Sequence, residues 1–238
     1  MSRYKYLKEE AYAGNMMLPE LNLVLFTWGN VSFADHDSGV FAIKPSGVSY
    51  KQLDEDDMVI VDFEGHTVEG TLRPSSDTLT HAVLYRHWNN INSVVHTHST
   101  YATAWAQAQK DIPVLGTTHA DQTKFNIPCA PPMDDEMIAG DYELQTGFQI
   151  INELSKRQIP HTRLEMILLG NHGPFTWGKS VNEAVANSAI LENVAKMAYL
   201  TLQINPQSPL LKETLIEKHY GRKHGADSYY GQNSINNL

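Results

Sequence analysis

Two histidines, His96 and His98, close the apolar segment Val94-Val95-His96-Thr97-His98. On a strand the side chains at i and i+2 share a face, so both imidazoles can reach one point. Spacing alone says little, because 11 histidines in 238 residues give roughly 0.5 His-x-His pairs by chance. The setting says more: Val94 and Val95 drive the strand into a core, and two histidines buried together lose hydration unless something neutral or metallic compensates. His172 follows a second apolar run and sits in the turn Gly170-Asn171-His172-Gly173-Pro174, where a scaffold can present a side chain to a cleft. Alone it reads as an ordinary loop histidine, and Asp77, at a helix start after Ser75-Ser76, alone reads as a first-turn acid. Taken together, three imidazoles and one carboxylate suit zinc or another first-row divalent ion.

A second pattern invites a different chemistry. Gly173-Pro-Phe-Thr-Trp-Gly178-Lys179-Ser180 formally matches the phosphate-cradling G-x-x-x-x-G-K-[ST] motif. That cradle works through backbone N–H groups, but Pro174 has none and Phe175 and Trp177 are bulky. Ser180 with Glu183 also forms a helix capping box. We therefore read this stretch as the approach to a helix.

The elements that must position these groups follow from periodicity. Residues 4–18 alternate at helical spacing and end at Pro19. Stretches 23–28, 39–44, 57–62 and 66–70 read as strands joined in antiparallel meanders by Asp/Gly/Ser turns. A serine-capped helix is expected from Ser75-Ser76-Asp77 onward, then a strand over 93–98 and a helix over 99–109. Residues 112–133 read as an irregular, Pro-rich stretch of loops and short strands. A helix over 144–157, a strand over 164–169 and a long helix from Ser180 to about Gln203 complete one mixed α/β domain spanning 1–238, with a frayed tail at 233–238.

Composition bounds the function. Hydrophobic residues make up 42% and charged residues 19%, as in an ordinary folded protein. A net charge of -9 disfavours nucleic acid and anionic membrane as general partners. The lone Cys129 excludes an internal disulfide, and the N-terminus lacks the apolar core of a signal peptide, so a cytoplasmic location is expected.

Read in order, Thr27-Trp-Gly-Asn-Val-Ser32, Lys44-Pro-Ser-Gly47, Pro74-Ser-Ser-Asp-Thr78, His96-Thr-His98, Gly116-Thr-Thr-His-Ala-Asp121 and His172-Gly-Pro174 resemble the class II aldolase/epimerase family. The resemblance runs from about residue 15 to Lys218-His-Tyr220 and Tyr229-Tyr-Gly-Gln232. It implies a three-layer α+β fold, a central, largely antiparallel sheet flanked by helices, in a homotetramer with sites between subunits. It places one divalent ion per subunit, most often Zn2+ with Mn2+ an option, on Asp77, His96, His98 and His172. Gly29, Asn30, Ser46, Gly47, Ser75 and Ser76 match substrate and phosphate loops, with Lys44 an added charge, and Asp121 and Tyr230 match an acid/base pair. The implied activity is epimerisation at C4 of a ketopentose 5-phosphate. Fuculose-phosphate aldolases of the family carry glutamate after the double serine, so Asp77 favours the epimerase branch; the adducin head domain shows that a non-catalytic member is an alternative.

Overall fold

The computed structural model describes residues 2–225, so Tyr230 and the tail at 233–238 lie outside the described residues. Helix α1 (Lys5–Glu20) leads through a turn to strands β1 (Asn30–Asp35), β2 (Val40–Ile43), β3 (Val59–Asp62) and β4 (Thr67–Glu69). Helix α2 (Thr78–His87), strand β5 (Ser93–His96) and helices α3 (Thr100–Gln107) and α4 (Thr117–Ala120) follow. The chain continues through β6 (Cys129–Ala130), α5 (Asp135–Ala139), α6 (Tyr142–Lys156), β7 (Met166–Leu169), β8 (Pro174–Gly178), α7 (Val181–Ile204) and α8 (Glu213–His224).

The strands form one eight-stranded sheet in the order β4-β3-β2-β1-β5-β8-β7-β6. Every pairing is antiparallel except β6 with β7. Alternation divides the apolar side chains between two faces, as period-2 geometry requires. Val40, Ala42, Ile60 and Val95 pack on the face covered by α1. Phe41, Ile43, Val59, Val61 and Val94 face the opposite layer with Ala82 and Leu84 of α2 and Ile150 of α6. The result is helix, sheet, helix. Because His96 shares the parity of Val94, its ring falls on the α2 side.

Several expectations are corrected. Residues 23–28 are not a strand: Phe26 takes a positive φ of 55°, and Leu25, Phe26 and Trp28 are exposed. The strand begins instead at Asn30, where polar Asn30 and Ser32 alternate with Val31 and Phe33 and disguise the pattern. The Gly173–Ser180 stretch contains β8, an interior strand between β5 and β7, whose proline occupies the first strand position, where its missing N–H is tolerated. Residues 97 and 98 lie past the end of β5. No serine side chain caps α2, because Asp77 itself holds the N-cap position and makes no capping bond. Within 112–133 the short strand β6 fits the expected loops and short strands, whereas the short helix α4, and α5 and α8 beyond it, are absent from the sequence reading.

Candidate metal centre

His96 is the last residue of β5 and is 2% exposed. Its Nδ1 lies 2.9 Å from the Pro174 carbonyl of β8, an acceptor only, so Nδ1 donates and the Nε2 lone pair is left facing inward. That Nε2 sits 3.1 Å from His98 Nε2. His98 stands in the turn before α3, whose first N–H groups, on Tyr101 and Ala102, are accepted by the Glu192 carboxylate of α7 at 2.9–3.1 Å. Glu192 thus caps α3 from another element and sets the direction in which the chain leaves His98. Glu192→Ala is expected to destabilise the fold by about 1–2 kcal/mol, read as a fall in thermal midpoint, as loss of a side-chain cap does; an unchanged midpoint would remove Glu192 from this role.

His172 occupies the tip of the β7–β8 hairpin. Its N–H donates to Leu169 O at 3.0 Å, and Leu169 N–H donates to Gly173 O at 2.9 Å. Asn171 takes the left-handed conformation at φ 63° that the turn needs. Ligand nitrogens of His96, His98 and His172 lie within 4.8 Å of one another. Burial first, and then repulsion between the rings, hold His96 and His172 neutral, with pKa values lowered to about 3. His172 Nδ1 is buried without a partner among the described residues. Three neutral, convergent nitrogen donors, one locked by a carbonyl behind it, fit a divalent cation of the zinc type.

Asp77 lines the same cavity, but its Oδ2 accepts from Asn30 Nδ2 at 2.6 Å and is not part of the three-imidazole cluster. Asn30 also donates to Ser75 Oγ at 3.0 Å. The two serine loops are tied together: Ser46 N–H donates to Arg73 O and Ser75 N–H to Lys44 O, at 2.9 and 3.0 Å. Gly29 has φ 78°, and a Cβ there would lie 2.8 Å from the His96 carbonyl oxygen, so the backbone approaches β5 closely and glycine is required. Gly47, at φ 72° with open space around it, is needed for conformation alone.

One cavity of about 560 Å³ gathers Gly29, Asn30, Lys44, Ser46, Gly47, Ser75, Ser76, Asp77, His96, His98 and His172. Lys44 is 2% exposed, and burial pushes its pKa down to about 8. Its Nζ has only distant carbonyls, Thr27 O at 3.4 Å and Pro45 O at 3.3 Å, and the Tyr50 ring at 5.0 Å. No carboxylate pairs with it among the described residues. A buried cation without a counterion is a ready site for an anionic ligand. Tyr142 and Glu143, at the start of α6, also line the cavity; the sequence reading missed them, since nothing in their spacing marks them.

Asp121 does not line this cavity. It follows α4, and its carboxylate accepts from Arg222 Nε at 3.0 Å and Nη2 at 2.7 Å, with His219 Nδ1 at 3.0 Å. Burial works to raise its pKa, but the Arg222 and His219 contacts outweigh it and the net shift is downward. A carboxyl depressed on folding contributes stability that is complete above its unfolded value and is lost as pH falls through the folded one. Attachment of α8 is therefore expected to hold at about pH 5 and to weaken below about pH 4. Limited acid proteolysis of the 205–212 connector checks this; equal cleavage at both pH values would contradict it.

Residues 9–199 match the class II aldolase and adducin N-terminal domain. An L-fuculose 1-phosphate aldolase superposes with a TM-score of 0.75 at 24% identity, over 93% of this chain and 97% of that one. YgbL from Escherichia coli, described as a putative aldolase/epimerase/decarboxylase, gives 0.71 at 25% identity, over 92% and 100%. The L-fuculose-1-phosphate aldolase of Thermus thermophilus gives 0.66 at 23% identity, over 88% and 100%. These likenesses establish the fold, a mixed α/β architecture around a central sheet.

Proposed function

Because the chain belongs to the class II aldolase and adducin N-terminal domain family, we propose that it is a metal-dependent L-ribulose-5-phosphate 4-epimerase, forming D-xylulose 5-phosphate. The observation that carries the reading is the cavity itself, which sets three convergent imidazoles beside a buried lysine without a counterion among the described residues, and beside two serine loops. That pairing suits a substrate with oxygens for an ion at one end and a phosphate at the other.

The C4 proton of a 2-ketopentose is not adjacent to the carbonyl, so direct removal gives no enolate stabilisation. Cleavage of the C3–C4 bond avoids this: the C4 hydroxyl loses its proton, the bonding pair moves to C3, and glycolaldehyde phosphate separates from the enediolate of dihydroxyacetone. After the aldehyde turns its other face, C3 attacks again and the C4 oxygen regains a proton. A bound divalent ion, Zn2+ on this donor set, would supply Lewis-acid stabilisation of the negative charge developing on the C2 and C3 oxygens. Asp77, His96, His98 and His172 are the residues proposed to hold it. The neutral imidazoles leave the charge of such an ion undiminished. Ser46, Gly47, Ser75, Ser76 and Lys44 are proposed to hold the phosphate, which also retains the aldehyde fragment between the two bond events.

Asp121 and Tyr230 are proposed to take and return the C4 hydroxyl proton from opposite faces. Since Asp121 lies away from the cavity of its own chain, in this reading it serves the cavity of a neighbouring copy in a homotetramer. Apolar Met197, Tyr199, Leu200 and Ile204 exposed on α7 support association; light scattering should give four times the 26.7 kDa of one chain. No helix among the described residues is long and apolar enough to cross a membrane.

The test is to supply L-ribulose 5-phosphate to protein loaded in turn with Zn2+, Mn2+ and Co2+ and to measure D-xylulose 5-phosphate. Absence of turnover with every ion would sink the proposal. The fuculose-phosphate aldolase reading, favoured by the neighbours' names, predicts instead that L-fuculose 1-phosphate is cleaved and free aldehyde accumulates. Lys44→Met is expected to raise KM for the sugar phosphate by about tenfold or more, since a charged hydrogen bond to a buried anion contributes about 1.5–3 kcal/mol. An unchanged KM would place the phosphate elsewhere.

A further inference from the structure

Beneath the floor of the cavity, three buried side chains run in line. His81 lies in α2 one turn beyond Asp77, and its backbone N–H donates to the Asp77 carbonyl at 3.1 Å. Its Nδ1 is 2.7 Å from Ser32 Oγ of β1, which is 2.6 Å from Tyr85 OH of the same helix. All three residues are buried. The alternating faces of the sheet explain the meeting: Val31 and Phe33 point to the α1 side, so Ser32 points under α2.

Either hydroxyl of the Ser32–Tyr85 pair can donate, and Tyr85 can also donate to the Asn92 carbonyl at 3.5 Å; the far shorter 2.6 Å contact favours Ser32 as the acceptor of the phenolic hydrogen. Ser32 then donates to His81 Nδ1. A neutral imidazole that accepts at Nδ1 carries its hydrogen on Nε2. Burial keeps the ring neutral, and the groups that act on it electrostatically are Asp77 and His96. Yet Nε2 is buried and without a hydrogen-bond partner among the described residues. An orphaned buried donor calls for an explanation.

His96 offers no acceptor for it, because its Nδ1 donates to Pro174 and its Nε2 faces His98. Asp77 does: Asn30 and Ser75 both engage Oδ2, and the second oxygen has capacity left. We propose that His81 is a positioning residue of the metal centre: its Nε2–H, unpartnered here, is the donor that the Asp77 carboxylate meets when it turns to ligate an ion, while Ser32 and Tyr85 lock the ring in the tautomer that provides this hydrogen. The same arrangement in reverse, a carboxylate or carbonyl behind a ligating imidazole, is the common way an outer partner orients a ligand.

The inference rests on the metal-centre reading above, so the experiment separates the two. Mn2+ is titrated calorimetrically into chelator-stripped wild-type, His81→Gln, His81→Asn and Tyr85→Phe proteins, with a thermal unfolding curve for each. A glutamine amide can place an N–H where Nε2 stands; an asparagine amide reaches only the Nδ1 position. His81→Asn should bind Mn2+ about 10–100-fold more weakly, the usual loss for an outer partner of a ligand, and His81→Gln should stay within about fivefold of wild type. In Tyr85→Phe, Ser32 loses its donor and accepts from Nδ1, the hydrogen leaves Nε2, and affinity falls in the same direction; ring 15N shifts report the change of tautomer. Folded His81→Asn protein with wild-type affinity overturns the proposal, as does an equal loss in the Asn and Gln variants. If His81→Asn does not fold, Tyr85→Phe decides, and unchanged Mn2+ affinity there overturns it. A wild-type chain that takes up no ion overturns the metal-centre reading and this inference with it.

Discussion

His98→Asn should fold as the parent does, bind a divalent ion at least about 100-fold more weakly, and lose about 10³-fold or more in turnover. The expectation of an intact fold comes from position. His98 lies beyond the last residue of β5 and is exposed, so its loss removes no core packing, unlike that of His96, which is buried and stacks on Phe175 at 4.2 Å between ring centroids. The expectation of lost affinity comes from geometry, since its Nε2 is 3.1 Å from that of His96 and asparagine cannot reach that point with a nitrogen lone pair. Metal content after dialysis, measured beside far-UV circular dichroism, checks both halves. Full metal content in the variant would remove His98 from the site.

Asp121→Asn is the second large effect, a fall of about 10²–10⁴ in turnover if this carboxylate moves the C4 proton. A structural explanation competes, because Asp121 also anchors α8 through Arg222 and His219. Arg222→Leu breaks the same attachment and leaves the carboxylate in place. If anchoring were the whole role, the two variants would lose activity equally; a far greater loss in Asp121→Asn assigns the proton chemistry to it. Mixing the Asp121→Asn and His98→Asn proteins adds a test of site sharing. Each alone should keep only residual activity, but random reassembly into a ring whose sites each take ligands from one copy and the acid from the next should restore about a quarter of the sites. Recovery of none would place both residues in the service of one chain.

Much of the frame was legible because its periodicities are local. Strands β2, β3, β5 and β7 show apolar alternation or runs that need nothing from the rest of the chain. The start of α7 is marked by Ser180 and Glu183, and the structure has Ser180 Oγ accepting from Glu183 N–H at 3.2 Å, with the Glu183 carboxylate accepting from the N–H of Lys179. The misreadings cluster where side chains serve the cavity. Strand β1 was overlooked in favour of residues 23–28 because Asn30 and Ser32, buried and polar, face the Asp77 and His81 side and break the hydrophobic pattern there. Strand β8 was hidden by a proline and two glycines that read as loop, although Phe175 and Trp177 are wholly buried in it. Helix α8 buries no residue fully, so it carries no apolar stripe to detect.

The sequence by itself determined which residue types were available for chemistry: an apolar strand ending in two histidines, a third histidine in a glycine-rich turn, a carboxylate at a helix start, a single thiol and a net charge of -9. The tertiary structure decided which of them meet. Antiparallel pairing of β5 with β8 brings His96 against the Pro174 carbonyl and His172 beside it, a contact between residues 78 positions apart that no local pattern encodes. Among the described residues it also left Lys44 buried without a counterion and His81 Nε2 without a partner, and it carried Asp121 away from the cavity. Those facts are set by the desolvation and hydrogen-bond completion of groups distant in the chain, which only the assembled sheet and its covering helices impose.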